Sequence, residues 1–337
     1  MRNFSFGENL QDPYSNIMFF LAGIIILGLG AELTINCSIK TAWKLGLSPL
    51  IIGLTLVSIG TSIPEISISV AGGFDRFGGF ETSGIVVGNW IGSVLNQMTI
   101  ILGIVGLFGT MKIPKRIIRS EGLALLSALV LFFLIILDGN VSRLEGLILI
   151  LSYIAYLSHI ILYRRKSENL DFPILEDKVK EFKICKMEQP TYKDVILLVT
   201  GIAFVAIGSD TVIKGGIELS RFMNIDQSAI GFIFVGLGTG IPELIVSLRA
   251  IMKGDISISV GNLLGSNMAA ILLSADLGSI IAGFAIDNKI IHVDTPITIL
   301  LVLLTLIILR TRKKLGKKES LFLIVIYFFL AIFILTI

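Results

Sequence analysis

The chain has 337 residues, of which 54% are hydrophobic and only 16% charged, with two cysteines and a formal charge of +3. Soluble domains carry about 25% charged residues, so this balance, with a mean hydropathy of +0.90, excludes a soluble globular domain and indicates an all-α polytopic membrane protein.

Crossing the hydrocarbon takes about 20 apolar residues in a helix. Such windows fall near 17–39, 48–72, 84–108, 120–138, 143–163, 194–219, 226–251, 257–284, 292–310 and 319–337, which predicts ten transmembrane helices. The residues before the first window include Arg2, Glu8 and Asp12 and no small-residue cleavage site, so no signal peptide is expected. Cytoplasmic loops carry the excess of Lys and Arg. With the N-terminus outside, 22 of the 28 basic residues fall on the inner side, eight of them in the loop 164–193. Arg2, Arg76, Arg143, Lys214, Arg221 and Lys289 remain outside. The reading is a plasma-membrane protein of prokaryotic type with both termini outside and a cytoplasmic 164–193 loop. The basic residues are thereby assigned to topology, and no nucleic-acid partner is expected. Cys37, in a helix, and Cys185, in the cytoplasmic loop, suggest neither a disulfide framework nor a metal site.

One unit is written twice. Residues 53–65, GLTLVSIGTSIPE, match 231–243, GFIFVGLGTGIPE, at an offset of 178, which also aligns Gly23 with Gly201, Gly30 with Gly208 and Glu32 with Asp210. A second pair follows: Val87-Gly88-Asn89-x-x-Gly92-Ser93 and Val260-Gly261-Asn262-x-x-Gly265-Ser266. Five helices per half is an odd number, so the halves 1–163 and 194–337 enter from opposite faces, and 164–193 is a solvated linker. Inverted repeats of this kind are typical of secondary transporters, with a site at the midplane where interrupted helices meet.

The repeated Gly-Thr-x-Ile-Pro-Glu places a carboxylate and a proline where a spanning helix least tolerates them; an acid at the bilayer centre costs roughly 3 kcal/mol. Pro64 and Pro242 cannot donate to the helical ladder and free oxygens near Gly60 and Gly238. Thr61 with Glu65, and Thr239 with Glu243, are four residues apart, so each hydroxyl is expected one turn from the carboxylate on its own helix. Two carboxylates, two hydroxyls and freed carbonyls make an all-oxygen set, suited to hard cations such as Ca²⁺ and not to zinc or copper. Glu32 and Asp210 read as hydrogen-bonding ties between helices. Ser93 and Ser266 read either as ligands or as small residues for close packing.

The pairs GTSIPE with GNWIGSVLNQ, and GTGIPE with GNLLGSNMAA, resemble the two alpha-repeats of the calcium/cation antiporter superfamily, the sodium/calcium exchangers, over nearly the whole chain. The resemblance implies an antiporter rather than an enzyme, with Ca²⁺ and Na⁺ as transported ions and no cofactor. It implies Glu65 and Glu243 as central ligands, further oxygens from Thr61, Thr239, Ser62, Ser93 and Ser266, and the carbonyls of Ser58 and Gly236. It also implies that the glycine-rich first helices of the halves slide to alternate access. The pattern departs at three places: Gly240 stands for a serine, Gln97 for Asn or Asp, and Ala270 for an acid or amide. Fewer Na⁺ or some H⁺ is therefore expected as counter-ion, without K⁺. Asn96 and Asn267 lie on other helix faces, and Asp276, six residues from Ala270, reads either as a hydrogen-bonded acid near the outer helix end or as a displaced third acid. No D-x-D-x-D-G loop occurs in 164–193, so no calcium-regulatory domain is expected. A monomer in the lipid bilayer is the expected assembly. A cation channel, an intramembrane hydrolase and a transport-inactive sensor are the competing readings.

Overall fold

The computed structural model describes residues 17–30, 53–164, 192–254, 256–312 and 314–336. Glu32, both cysteines, Lys40, Lys44 and residues 165–191 of the linker lie outside these. In the first half α1 is Ile17–Gly30, α2 covers 53–61 and α3 is Ile63–Phe77. Then come α4, Ser83–Phe108, α5, Lys115–Ile136, and α6, Arg143–Leu162. In the second half α7 is Tyr192–Met223, α8 covers 227–239 and α9 is Ile241–Met252. The chain ends with α10, Ile256–Ile281, α11, Ile290–Thr311, and α12, Lys317–Thr336. Counting α2 with α3 and α8 with α9, these are ten helical passages in two inverted five-helix repeats, as the hydropathy predicted.

Boundaries follow local chemistry more closely than apolar length. The α3 helix outruns its apolar window and stops at Gly78 and Gly79, the latter at φ +91°, where glycine has no Cβ to oppose a left-handed turn. The start of α5 precedes its window, because Pro114 closes the incoming strand and the basic residues at 115, 116 and 119 extend past the hydrocarbon. A capping box, Ser142 with Glu145, starts α6.

Two clasps tie loops together. Strand β1 (Asn140–Val141) pairs antiparallel with β2 (Phe284–Ala285), and Met111 exchanges backbone hydrogen bonds of 3.1 and 2.9 Å with Leu315. Each clasp joins two loops that the basic-residue pattern had assigned to a common face. Lys289 Nζ, 2.7 Å from the Ile334 carbonyl, adds a third such link.

The centre is made by α4 and α10, each laid against the interrupted helix of the opposite repeat. A Cβ on Gly92 would stand 2.0 Å from the Phe232 carbonyl oxygen, and one on Gly265 would stand 2.6 Å from that of Leu54. These are repeat-related contacts, backbone on backbone, and they explain the glycine of the second motif: without a side chain there, two helices approach closely enough for their polar groups to meet. Glycines also line the α1–α7 contact, where a Cβ on Gly208 would stand 2.5 Å from Leu27 N and one on Gly30 2.6 Å from Val205 N. Among the described residues nothing lies within 4 Å of such a Cβ on Gly28.

Gly92→Ala and Gly265→Ala should each lower the midpoint of thermal unfolding in detergent, with a destabilisation of about 1–3 kcal/mol from overpacking. Gly28→Ala should leave the midpoint unchanged or slightly raised.

Candidate cation site

The four pieces of interrupted helix meet end to end near the centre of the bundle. Between α2 and α3 the chain breaks at Ser62 (φ −83°, ψ 8°), and between α8 and α9 at Gly240 (φ −75°, ψ −2°). Pro64 and Pro242 then occupy the first turn of the new helix, where a missing N–H is no loss. Each proline therefore starts a helix, and each glutamate follows in that helix's first turn, where the positive end of the dipole favours a negative group. Just upstream, residues Gly53–Val57 and Gly231–Val235 form π-helical turns at the same offset of 178. Two more lie in α4 at Gln97–Ile101 and in α10 at Ala269–Ser274. Sequence periodicity did not show any of the four, since a widened turn leaves the apolar pattern intact.

Glu65 and Glu243 are both fully buried. Neither oxygen of Glu65 has a hydrogen-bond partner among the described residues, nor has Oε2 of Glu243. Glu243 Oε1 accepts from Ser62 Oγ at 3.3 Å. The two carboxylates are within electrostatic reach of each other. Among the described residues no Lys, Arg or His pairs with either.

The hydroxyls are arranged as a swap. Those of Thr239 and Ser93 face Glu65, and those of Thr61 and Ser62 face Glu243. Each threonine thus meets the carboxylate of the opposite repeat, rather than the one a turn along its own helix as the spacing suggested. The break at Ser62 or Gly240 interrupts the helical register between them.

Two asparagines hold the threonines in place, and the sequence reading passed over them as site residues. Thr61 Oγ1 lies 3.0 Å from Asn262 Oδ1 and 3.1 Å from Ser266 Oγ; Thr239 Oγ1 lies 3.2 Å from Asn89 Oδ1 and 3.4 Å from Ser93 Oγ. Asn262 Nδ2 also donates to the Glu243 carbonyl at 3.2 Å and to Ser247 Oγ at 3.0 Å. Their signal was present, since both are the Asn of the repeated Val-Gly-Asn. Ser93 and Ser266 thus face the site while the neighbouring glycines do the packing. The Ser58 carbonyl accepts from Thr61 Oγ1 at 3.3 Å and Ser266 Oγ at 3.4 Å, and the Gly236 carbonyl accepts from Thr239 Oγ1 at 3.4 Å.

The three departures have distinct surroundings. Gln97 is fully buried at the start of its π turn, with neither amide heteroatom partnered among the described residues. Ala270 is buried and adds no oxygen. A Cβ on Gly240 would stand 2.7 Å from Ile101 Cδ1, the mobile end of that side chain, which a small shift of Ile101 would clear. Asp210 is not a tie between helices: it pairs with Lys214 at 2.8 Å on its own helix, both half-exposed. Asp276 lies at the α6 interface, within electrostatic reach of Tyr153, and does not join the carboxylate pair. Beside the site, Ser209 Oγ of α7 lies 2.7 Å from Ser67 Oγ of α3, which donates to the Pro64 carbonyl at 2.9 Å.

Chemically this is a buried, oxygen-lined enclosure with two carboxylates that no cationic side chain pairs among the described residues. Such a pair is strongly unfavourable in a low-dielectric interior unless a cation or protons compensate it. Among the described residues there is no group of three or more His, Cys, Asp or Glu, and a cation here would rely on hydroxyl, amide and carbonyl oxygens besides the two acids.

The family profile described as sodium/calcium exchanger protein matches residues 15–162 and 193–336. The chain is 29% identical to the putative antiporter CaxA of Alkalimonas amylolytica, covering 89% of this chain and 90% of that one. It is also 29% identical to the sodium/calcium exchanger MaX1 of Methanosarcina acetivorans, covering 93% and 96%. The fold superposes on the solved sodium-calcium exchanger NCX_Mj soaked with 2.5 mM Na⁺ and 10 mM Sr²⁺ with a TM-score of 0.62, at 25% identity over 94% of this chain and 98% of that one.

Asn89→Ala and Asn262→Ala each remove the acceptor that orients a site threonine. Isothermal titration of the purified protein should show divalent-cation affinity about tenfold weaker in each, the equivalent of about 1.4 kcal/mol for one hydrogen bond to the site.

Proposed function

This chain belongs to the sodium/calcium exchanger protein family, and from that premise we propose that it exchanges Ca²⁺ for Na⁺ across the plasma membrane of a prokaryotic-type cell. The observation that carries the reading is the pair of fully buried glutamates at repeat-related positions, without a neutralising cation among the described side chains. Glu65 and Glu243 supply the two charges that balance one Ca²⁺. Thr61, Thr239, Ser62, Ser93, Ser266 and Gln97, with the carbonyls of Ser58 and Gly236, offer more oxygens than the six to eight that one Ca²⁺ takes, so different ions draw on overlapping subsets of them. Binding Na⁺ at the same carboxylates makes the two loads mutually exclusive, which is the basis of exchange.

The glycine-lined contact of α1 with α7 supports these helices as the sliding unit, since small residues let backbones move past one another with few side-chain rearrangements. The clasps formed by β1 with β2 and by Met111 with Leu315 favour α4–α6 and α10–α12 as the stationary frame. The protein works as a monomer, with outward termini and a cytoplasmic 164–193 loop.

The counter-ion is where this chain differs. Gly240 and Ala270 remove two side-chain oxygens, and Ile101 packs against one of the vacated positions. These losses favour fewer Na⁺ per cycle, or H⁺ in place of some Na⁺. Exchange of Ca²⁺ for H⁺ alone is the second reading, favoured by the same residues.

Proteoliposomes holding the purified protein should take up ⁴⁵Ca²⁺ when an outward Na⁺ gradient is imposed, and Glu65→Gln or Glu243→Gln should reduce uptake to the protein-free level. Uptake with no counter-ion gradient would indicate a channel and overturn the antiporter reading. Gly240→Ser, which restores a side-chain oxygen beside the readily displaced end of Ile101, should lower the Na⁺ concentration for half-maximal exchange.

A further inference from the structure

Apart from the carboxylate pair, two further acids, Asp276 and Asp294, are fully buried without a hydrogen-bond partner among the described residues; Asp294 is within electrostatic reach of Lys289, and Asp276 has no such cation among the described residues. Asp276 of α10 is fully buried, and neither of its oxygens has a hydrogen-bond partner among the described residues. Opposite it on α6 is Tyr153, 3% exposed, whose phenolic oxygen is likewise without a partner among them. The two helices touch at this level: a Cβ on Gly146 would stand 3.2 Å from the Asp276 carbonyl oxygen and 3.3 Å from Ser279 Cβ. Tyr153 lies two turns further along α6, and long helical side chains lean toward the helix N-terminus, which carries its phenol back toward Asp276; the two groups are within electrostatic reach.

The charged groups nearby are engaged elsewhere. Arg143 at the start of α6 donates to the Ile281 carbonyl at 2.8 Å, and Arg76 of α3 pairs with Glu81 at 2.7 Å. Glu145 caps its own helix, Asp75 of α3 interacts with Asp210 and Lys214, and α4 has no ionisable side chain. On the far side of Tyr153 the ring of Tyr156 lies 6.4 Å away, and its hydroxyl is 2.9 Å from Glu121 Oε2 of α5. A polar seam therefore runs between α5, α6 and α10, from Glu121 near the Met111–Leu315 clasp to Asp276 near β2.

We infer that Asp276 and Tyr153 form a proton-binding site between α6 and α10, separate from the Glu65–Glu243 enclosure. In the structure the two groups are not hydrogen-bonded to each other; the proton is taken from solvent onto one carboxylate oxygen, a side-chain rotation then brings the acid against the phenol, and no other bond changes. A metal ion does not suit the place: one carboxylate and one phenol fall far short of the six or more oxygens that Ca²⁺ requires, and α10 is regularly helical from Ala275 onward. A proton needs only the two groups present, and it removes a lone charge from a low-dielectric interior.

The test uses full-length protein in lipid with ¹³C-labelled aspartate, and infrared difference spectra between acid and alkaline pH. The wild type should show the carbonyl band of a protonated aspartic acid. In an Asp294→Asn background, that band should be absent from Asp276→Asn and retained in Glu65→Gln with Glu243→Gln. In Tyr153→Phe its frequency should change and its titration midpoint should move by about one pH unit, the equivalent of one hydrogen bond. No such band at any pH, a band unaltered in Asp276→Asn, its loss in the glutamate variants, or a Tyr153→Phe spectrum identical to wild type would overturn the proposal. If Asp276→Asn does not fold, Tyr153→Phe, which deletes a single oxygen, decides alone. The readout needs no transport, so failure here is distinguishable from failure of the exchange reading.

Discussion

Two negative charges enclosed together in a membrane interior are the constraint from which the architecture follows. Glu65 and Glu243 are shut off from water, and full ionisation of both is tolerable only with a cation between them. Every nearby feature serves that requirement. The breaks at Ser62 and Gly240 put each glutamate at a helix N-terminus, the threonines present oxygens to the opposite carboxylate, and the asparagines fix the threonines. The protein thereby creates a place that is unfavourable when both carboxylates are charged and uncompensated.

The means of assembly is exchange between repeats. Gly92 and Gly265 let α4 and α10 approach the backbone of the opposite interrupted helix, so neither half can complete its own hydroxyl set. Thr61 depends on Asn262 and Ser266, and Thr239 on Asn89 and Ser93. Through this mutual dependence the oxygen-lined enclosure exists only in the joined bundle.

Much of this was legible in the sequence, and the remainder was hidden for definable reasons. Ten apolar windows and the basic-residue pattern gave the helices and grouped the loops by face, because lipid imposes length and charge rules directly on the chain. The repeated Thr-x-Ile-Pro-Glu marked the site because an acid and a proline at membrane depth carry a high penalty. The swap of threonine partners was invisible, since spacing along one helix carries no information about a helix 178 residues away, and the break at Ser62 and Gly240 undoes the register that spacing assumes. The π turns left no trace because they displace backbone hydrogen bonds rather than apolar positions. Gly240 read as a missing oxygen; only packing revealed that Ile101 stands against it. The displaced-ligand reading of Asp276 rested on distance along the helix, whereas its direction around the helix sets it against Tyr153.

The hydrogen bond between Ser209 and Ser67 joins α7 to the helix that carries Glu65, and its repeat-related positions are Ala31 and Ile245, which cannot make it. The inversion symmetry is therefore broken beside the site. A carrier with perfect inversion symmetry has outward-open and inward-open forms of equal free energy, and its half-cycles run at matched rates. One unmatched bond of about 1 kcal/mol skews that resting distribution roughly fivefold. Thermodynamics forbids it from moving the final ion gradient, so the skew falls on kinetics: the two faces acquire different half-saturation concentrations, and turnover in one direction outpaces the other at equal loads.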